Sequence, residues 1–167
     1  MTASPDTEPS ELPFRHYIRV RYQECDTQLV VFNARYGDYI DLAITQFLIA
    51  TMPDRDRNIY DGSFEIQLKK QVTEWFAPAR FNDVIEIRAW ASRFGRSSFD
   101  MRFELRIAGE IDPIVVSDSV YVHVLLDKDG RWRSAPLPEH ERALLAEGAR
   151  GRIVDHAGYL PVAGPSR

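Results

Sequence analysis

The sequence has little of three features that mark specialised classes of protein. Its 167 residues include one cysteine, Cys25, which excludes an internal disulfide and any metal site built from several cysteines. Lys and Arg number 21 against 25 Asp and Glu, with no basic tract, so no nucleic-acid partner is expected. The longest apolar run, residues 120–126, is far too short to span a membrane. These absences leave an ordinary globular protein, and no membrane association is expected.

The composition predicts one domain with loose ends. Hydrophobic residues make up 44% and charged residues 28% of the chain, which is usual for a globular domain. Residues 1–12 are rich in proline and acids, so we expect a disordered lead-in without a signal peptide, and a cytoplasmic protein. Residues 13–147 are expected to form the domain. Residues 148–167, rich in Gly, Ala, Arg and Pro, are expected to be a loose tail.

A long amphipathic helix is predicted over residues 36–51. Apolar residues recur there at the spacing i, i+3, i+4, i+7 and i+8, which forms one continuous stripe along a helix. The helix is expected to end at Met52, because Pro53 disfavours helical geometry in the residue before it. A second, short helix is predicted over residues 138–147.

Beyond this helix the apolar residues recur with a period of two, which is typical of half-buried antiparallel strands. In the last of these stretches Val120, Val122 and Val124 form an apolar face, and His123 between them is expected on the strand surface. The predicted strands cover residues 17–22, 64–76, 85–92, 99–108 and 120–126.

The order of strand, long apolar helix and four strands predicts an α+β domain in which an antiparallel sheet of five strands wraps around a central helix. Such a sheet has open edges and leaves apolar rims at the helix ends. Pairing with a second copy covers both, so we expect an oligomer, a homodimer or homotetramer.

The stretch most informative about chemistry is residues 22–36, where a strand ends, a carboxylate appears and a loop leads into the long helix. A helix N-terminus offers unpaired N–H groups and a partial positive charge, which stabilise an oxyanion. If a thioester carbonyl lies at these donors, Asp26, just upstream, can attack it or activate a water that does. The structural alternative is that Asp26 caps the loop and Asn33 caps the helix.

The same stretch resembles the signature of hotdog-fold acyl-CoA thioesterases of the 4-hydroxybenzoyl-CoA thioesterase type. That signature reads Y-x-E-x-D-x-x-G-V-V-Y-H-A-N-Y, or in a related form D-x-x-G-H-V-N-N-A-R-Y. Matching residues are Tyr22, Glu24, Asp26, Val30, Val31, Asn33, Ala34, Arg35 and Tyr36. Residues 75–83 approximate a second family pattern, Y-x-x-P-A-x-x-x-D. The resemblance covers about residues 15–147.

The resemblance implies a hotdog fold and hydrolysis of an acyl-CoA thioester, with no metal and no cofactor apart from the coenzyme A of the substrate. It implies that Asp26 is the nucleophile or general base and that N–H groups near Phe32 and Asn33 polarise the thioester. Leu29 stands where the family usually has glycine, so it is expected to affect the fit of the substrate.

Other residues are assigned to substrate binding by the same resemblance. Glu24 lies two residues before Asp26, where it either contacts substrate, positions Asp26 or forms an ion pair at the rim. Thr73 and Ser97 lie where the strand of a neighbouring subunit completes the site in similar proteins. The remaining assignments are Tyr36, which closes the motif, and Arg96, one of five cations considered for the phosphates of coenzyme A together with Lys69, Lys70, Arg80 and Arg93.

Such a domain has three alternatives to acyl-CoA hydrolysis, and the sequence disfavours one of them, the hydratase. A thioesterase acting on an acyl-carrier protein would share the same motif. A hydratase would need a histidine about five residues after the acid, but Val31 stands there and no histidine follows before His123. The third alternative is a non-catalytic module that binds or senses acyl-CoA, and the departures from the family signature at Leu29 and Asn33 motivate it.

Overall fold

The computed structural model describes residues 12–52 and 64–161. In chain order its elements are β1 (Phe14–Arg19), a 3₁₀ turn (Tyr22–Glu24), α1 (Arg35–Thr51), β2 (Glu65–Trp75), β3 (Val84–Phe94), β4 (Ser98–Ile107), β5 (Val115–Leu126), β6 (Trp132–Ser134), α2 (Glu139–Glu147) and β7 (Ile153–Asp155). The predicted α+β class is confirmed. The five predicted strands are all present, and two short strands, β6 and β7, join them.

One sheet contains every strand, in the order β2-β5-β4-β3-β1-β7, with β6 paired to β5. All pairings are antiparallel except that of β7 with β1. The sheet is open, so β2 lies at one edge with one side of its backbone unpaired by a described strand. This edge strand is unusual because eight of its eleven residues are exposed and none is buried.

The helix α1 lies on one face of the sheet and packs against β1 and β3. Its predicted stripe is confirmed, since its buried side chains are Tyr36, Tyr39, Ile40, Ala43, Ile44, Phe47 and Thr51. Opposite them, β4 contributes four fully buried side chains, namely Phe99, Met101, Phe103 and Leu105. Apart from Thr51, both sets belong to one apolar core, in which burying a large apolar side chain contributes roughly 1.5–3 kcal/mol.

The first strand begins and ends earlier than predicted. It ends at Arg19, whereas the prediction extended to Tyr22. The chain turns because Glu24 accepts hydrogen bonds from the backbone N–H of Arg21, at 2.7 Å, and from its guanidinium. This local capping box forms the 3₁₀ turn where the prediction extended the strand by three more residues.

The segment predicted as a loose tail contributes β7 and docks beside β1. Three consecutive residues, Ile153–Asp155, pair with β1, and Tyr159 stacks on Tyr17 with ring centroids 5.3 Å apart. The Asp155 carboxylate fixes the turn that follows by accepting N–H groups of Ala157, Tyr159 and Leu160. Of the predicted disordered lead-in, residues 1–11 lie outside the described residues.

A pair of histidines joins this C-terminal segment to β1. His16 is fully buried, and its Nε2 lies 3.0 Å from Nδ1 of His156. Burial, and next the nearby His156, lower the pKa of His16 to about 4, although Asp155 acts in the opposite direction. His16 is therefore neutral in the folded protein at neutral pH.

We expect the free energy of unfolding to decrease as pH falls from about 6.5 to 4. In this range His16 binds a proton in the unfolded chain but remains neutral in the folded protein. By pH 4 the free energy of unfolding should have fallen by roughly 3 kcal/mol at most, because each unit of pKa difference corresponds to about 1.4 kcal/mol. Urea unfolding of wild type and His16→Gln across this range measures it. The variant should have the shallower pH dependence, and parallel profiles would contradict the assignment.

Candidate active site

A cleft opens where the loop before α1 meets the chain that follows β2. Its volume is about 680 Å³, within the range that holds a small-molecule ligand. One wall comes from the loop and the first turn of α1, and the other from residues 75–80. The lining residues are Asp26, Gln28, Val30, Val31, Phe32, Asn33, Tyr36, Trp75, Phe76, Ala77, Pro78 and Arg80.

The loop is a tight hairpin that carries Asp26 at its base. Cys25 and Val31 face each other across it in an antiparallel bridge, and the Asp26 N–H donates to the Val30 carbonyl at 2.9 Å. Leu29 closes the turn with φ 61°, a left-handed conformation that normally favours glycine. The position where the related signature has glycine is therefore one at which the backbone requires a positive φ.

The Asp26 carboxylate is half-buried and faces the cleft with one oxygen available. Its Oδ1 accepts the backbone N–H of Gln28 at 2.8 Å, which fixes the side chain against its own loop. No described residue makes a hydrogen bond to Oδ2. This arrangement holds a carboxylate in place while leaving an oxygen for a ligand or a water.

The backbone donors at the start of α1 differ from the predicted pair. The Phe32 N–H is occupied, because it donates to the Glu24 carbonyl at 3.0 Å. The N–H groups of Asn33 and Ala34 donate to no described residue, and of these two only Asn33 lines the cleft. The structure thus corrects the prediction for Phe32, whose N–H is unavailable, and leaves Asn33 as the donor at the positive end of the helix dipole.

The opposite wall is held to the loop by backbone contacts. The Val31 N–H donates to the Ala79 carbonyl at 2.8 Å, and the Ala79 N–H donates to the hydroxyl of Tyr36 at 3.0 Å. Burial raises the pKa of that hydroxyl, so Tyr36 stays neutral and serves as a fixed acceptor. Arg80 supplies the cation among the lining residues, and its own N–H is capped by Asp83 at 2.7 Å.

Several residues predicted to bind substrate lie elsewhere in the chain. Glu24 is 5% exposed and turns its carboxylate away from the cleft, toward Arg21 and Tyr39. Leu29 is exposed but does not line the cleft. Thr73 bonds to Ser117 on the sheet, and Ser97 and Arg96 lie at the β3–β4 turn. Of the residues assigned to substrate binding, Tyr36 lines this cleft, and so does Arg80, one of the other cations considered for the phosphates of coenzyme A.

Sequence reasoning missed Gln28 and the aromatic wall of Trp75 and Phe76. The family-like pattern over residues 75–83 was the available signal, because it singled out the stretch that forms this wall.

Among the described residues, no group of three or more His, Cys, Asp or Glu is arranged to hold a metal ion. Neither α1 nor α2 combines the length and apolar character that a membrane crossing requires.

A family model shows the family of this chain. The model described as "Thioesterase-like superfamily" matches residues 20–146. No curated protein matches the sequence at a significant level.

Three solved thioesterase structures are similar in fold. The 4-hydroxybenzoyl-CoA thioesterase of Pseudomonas sp. strain CBS-3 is 17% identical, with 80% of this chain and 99% of that one covered and a TM-score of 0.68. A 1,4-dihydroxy-2-naphthoyl-CoA thioesterase of Synechocystis is 19% identical, with 80% and 96% covered and a TM-score of 0.69. A mutant 4-hydroxybenzoyl-CoA thioesterase in complex with 4-hydroxybenzoyl-CoA is 19% identical, with 78% and 96% covered and a TM-score of 0.69. At such identities the likeness concerns the hotdog fold.

Proposed function

Because the chain belongs to the thioesterase-like superfamily, we propose that it hydrolyses an acyl-CoA thioester to a free acid and coenzyme A. One observation carries the proposal. The same cleft contains an Asp26 carboxylate oxygen without a described partner and the unoccupied N–H of Asn33 at the start of α1. A carboxylate and an oxyanion donor in one cleft are the groups that acyl transfer requires.

The reaction follows from these two groups. The thioester carbonyl oxygen accepts the Asn33 N–H, which stabilises the negative charge that develops on it. Asp26 either attacks the carbonyl carbon, forming an anhydride that water then cleaves, or removes a proton from an attacking water. In both routes the C–S bond breaks, coenzyme A leaves as a thiolate that takes up a proton, and the acid is released. The chemistry calls for neither a metal nor a redox cofactor.

The remaining walls suit the rest of the substrate. Trp75, Phe76 and Phe32 offer aromatic surface of low polarity to the pantetheine arm or the acyl group. We assign Arg80 to the phosphate groups of coenzyme A, since a guanidinium binds phosphate oxygens in pairs. Thioesterase neighbours act on aromatic acyl groups, so aromatic acyl-CoAs are the first substrates to test.

A second copy of this chain is proposed to complete the cleft. The free edge of β2 exposes Leu68 and Val72 to 51% and 49%, and Trp75 and Phe76 lie at its end beside the cleft. Long exposed apolar edge strands normally pair with another chain. In such a dimer we place Thr73, Ser97 and Arg96 as contributions to the site of the other copy.

The variant Val72→Glu is expected to separate the dimer, because it places a carboxylate of each copy within the exposed apolar edge that β2–β2 pairing would bury. We expect monomers in size-exclusion chromatography with light scattering, and a decrease in kcat/KM of at least about tenfold from an incomplete site. Ile111→Glu is the matched control, since Ile111 is 85% exposed in the β4–β5 turn. A monomeric wild type, or a fully active Val72→Glu monomer, would refute the proposed interface.

Two other functions share the cleft and are separated by experiment. Thiol release is measured with matched acyl groups on coenzyme A and on an acyl-carrier protein, and binding is measured by thermal shift. The proposal expects faster release from the coenzyme A thioesters. Release from the carrier protein alone would make the chain an acyl-carrier-protein thioesterase. Binding without release from either would make it an acyl-CoA sensor.

A further inference from the structure

Glu24 is a buried carboxylate surrounded by donors. Its Oε2 accepts the Arg21 N–H at 2.7 Å and the Tyr39 hydroxyl at 2.8 Å, and its Oε1 accepts two guanidinium bonds from Arg21 at 2.8 and 2.6 Å. The side chain is 5% exposed and does not line the cleft. A substrate in the cleft would therefore not contact the Glu24 side chain, whose hydrogen-bond partners are Arg21 and Tyr39.

Glu24 is joined to the immediate surroundings of both reactive groups. Its carbonyl accepts the N–H of Phe32, the residue directly before Asn33. It also lies two residues before Asp26, at the first arm of the hairpin closed by Cys25 and Val31. Its side chain, through Tyr39, is tied to the second turn of α1. A rotation of Glu24 therefore shifts the carboxylate, the donor and the helix relative to one another.

The electrostatic balance favours the ionised form. Burial alone raises the pKa of Glu24, but the backbone N–H and guanidinium of Arg21 and the Tyr39 hydroxyl together lower it below its usual value. A desolvated carboxylate is costly unless hydrogen bonds compensate it. Four such hydrogen bonds hold the Glu24 side chain more rigidly than a single ion pair at the rim of the cleft would.

We propose that Glu24, held by Arg21 and Tyr39, is a positioning residue that sets the distance between the Asp26 carboxylate and the Asn33 N–H. The inference rests on the proposed thioesterase function. Catalysis is sensitive to such distances, because a displacement of about 1 Å can lower a rate on the order of 10²-fold. The substrate makes no contact with Glu24, so the effect should fall on kcat and leave KM unchanged.

The chain contains its own matched control. On the opposite face of the sheet Tyr17 donates to the buried Glu86 at 2.9 Å, and Glu86 also pairs with Arg88 at 2.5 Å. This cluster has the same three residue types and nearly the same Tyr–Glu distance, yet none of its members lines the cleft. Equivalent substitutions there remove an equivalent buried bond without affecting Asp26.

The test compares Tyr39→Phe and Glu24→Gln with Tyr17→Phe and Glu86→Gln. In the first pair we expect kcat to fall by at least about tenfold with KM unchanged within about twofold, whereas the control pair keeps both values. Residue-resolved hydrogen exchange by NMR supplies a readout independent of activity. The amides of Phe32 and Asp26 should exchange at least about tenfold faster in the first pair alone.

Each result decides the proposal. A decrease in kcat no larger than in the control variants, or an effect on KM alone, would overturn it. If the wild type cleaves no thioester, the proposed function fails, and hydrogen exchange then decides whether Glu24 orders the loop. Unchanged exchange at Phe32 and Asp26 would overturn the positioning role in that case as well.

Discussion

Replacing Asp26 with Asn is expected to lower kcat on the order of 10³-fold, the magnitude typical of losing a base or nucleophile. Asn has the same shape, and its Oδ1 can still accept the Gln28 N–H that fixes the side chain at 2.8 Å. What disappears is the negative charge on the oxygen that faces the cleft. Thiol-release kinetics measure the loss, and thermal unfolding should show a nearly unchanged stability.

Asp38→Asn is the matched control for this change. Asp38 lies in the first turn of α1, pairs with Arg35 at the surface and does not line the cleft. The Asp38→Asn variant therefore also removes one negative charge close to the N-terminus of α1, and its kcat should stay within about twofold of wild type. Equal decreases in the two variants would indicate a general effect of charge and would remove Asp26 from the mechanism.

Asn33→Pro is expected to decrease kcat by roughly 10²–10³-fold, because proline deletes the backbone donor and one oxyanion donor contributes that much in acyl transfer. The Asn33 N–H donates to no described residue, so its removal breaks no described hydrogen bond. The measurement is again kcat, together with circular dichroism to confirm that α1 is retained.

Two controls separate the backbone donor from other effects. Ala34→Pro makes the same substitution one residue later, where φ is −66° and suits proline, and where the N–H does not face the cleft. Asn33→Ala removes the side chain and keeps the donor. Both should retain most of the activity. A large loss in Asn33→Ala would assign the effect to the side chain and contradict the oxyanion role of the backbone.

The helix and most strands were predictable because their patterns are simple. The stripe from Tyr36 to Phe47 has a single buried face, and only a helix satisfies its spacing. The alternation in β4 is equally clean, with Phe99, Met101 and Phe103 buried on one face. Where one face of an element is apolar and the other is not, burial and pattern coincide.

The fifth strand shows where that logic fails. It begins at Val115, whereas the prediction began at Val120. The prediction missed its first residues because Ser117 and Ser119 are polar but occupy buried positions. The prediction that His123 lies on the strand surface is wrong. His123 is 1% exposed, stacks on Phe64 and places Nδ1 3.0 Å from the Pro136 carbonyl. The Ser117 hydroxyl and His123 Nδ1 find partners distant in sequence, on Thr73 and Pro136, which periodicity does not reveal.

The site was predictable in its location and less so in its details. Asp26, Asn33 and Tyr36 of the motif line one cleft, as expected for a loop that leads into a helix, and their roles in it stay predictions. It did not reveal that the Phe32 N–H is used by Glu24, because that bond depends on how the hairpin folds back. For the same reason Glu24 itself was expected to reach the substrate and is instead buried with Tyr39.

The central claim is tested most directly by thiol release from a panel of acyl-CoAs, short, medium, long and aromatic, with wild type and Asp26→Asn compared under the same conditions. The account predicts that wild type releases thiol from at least one class and that the variant binds the same thioester without cleaving it. Absence of release from every member of the panel, or equal release by both proteins, would contradict it.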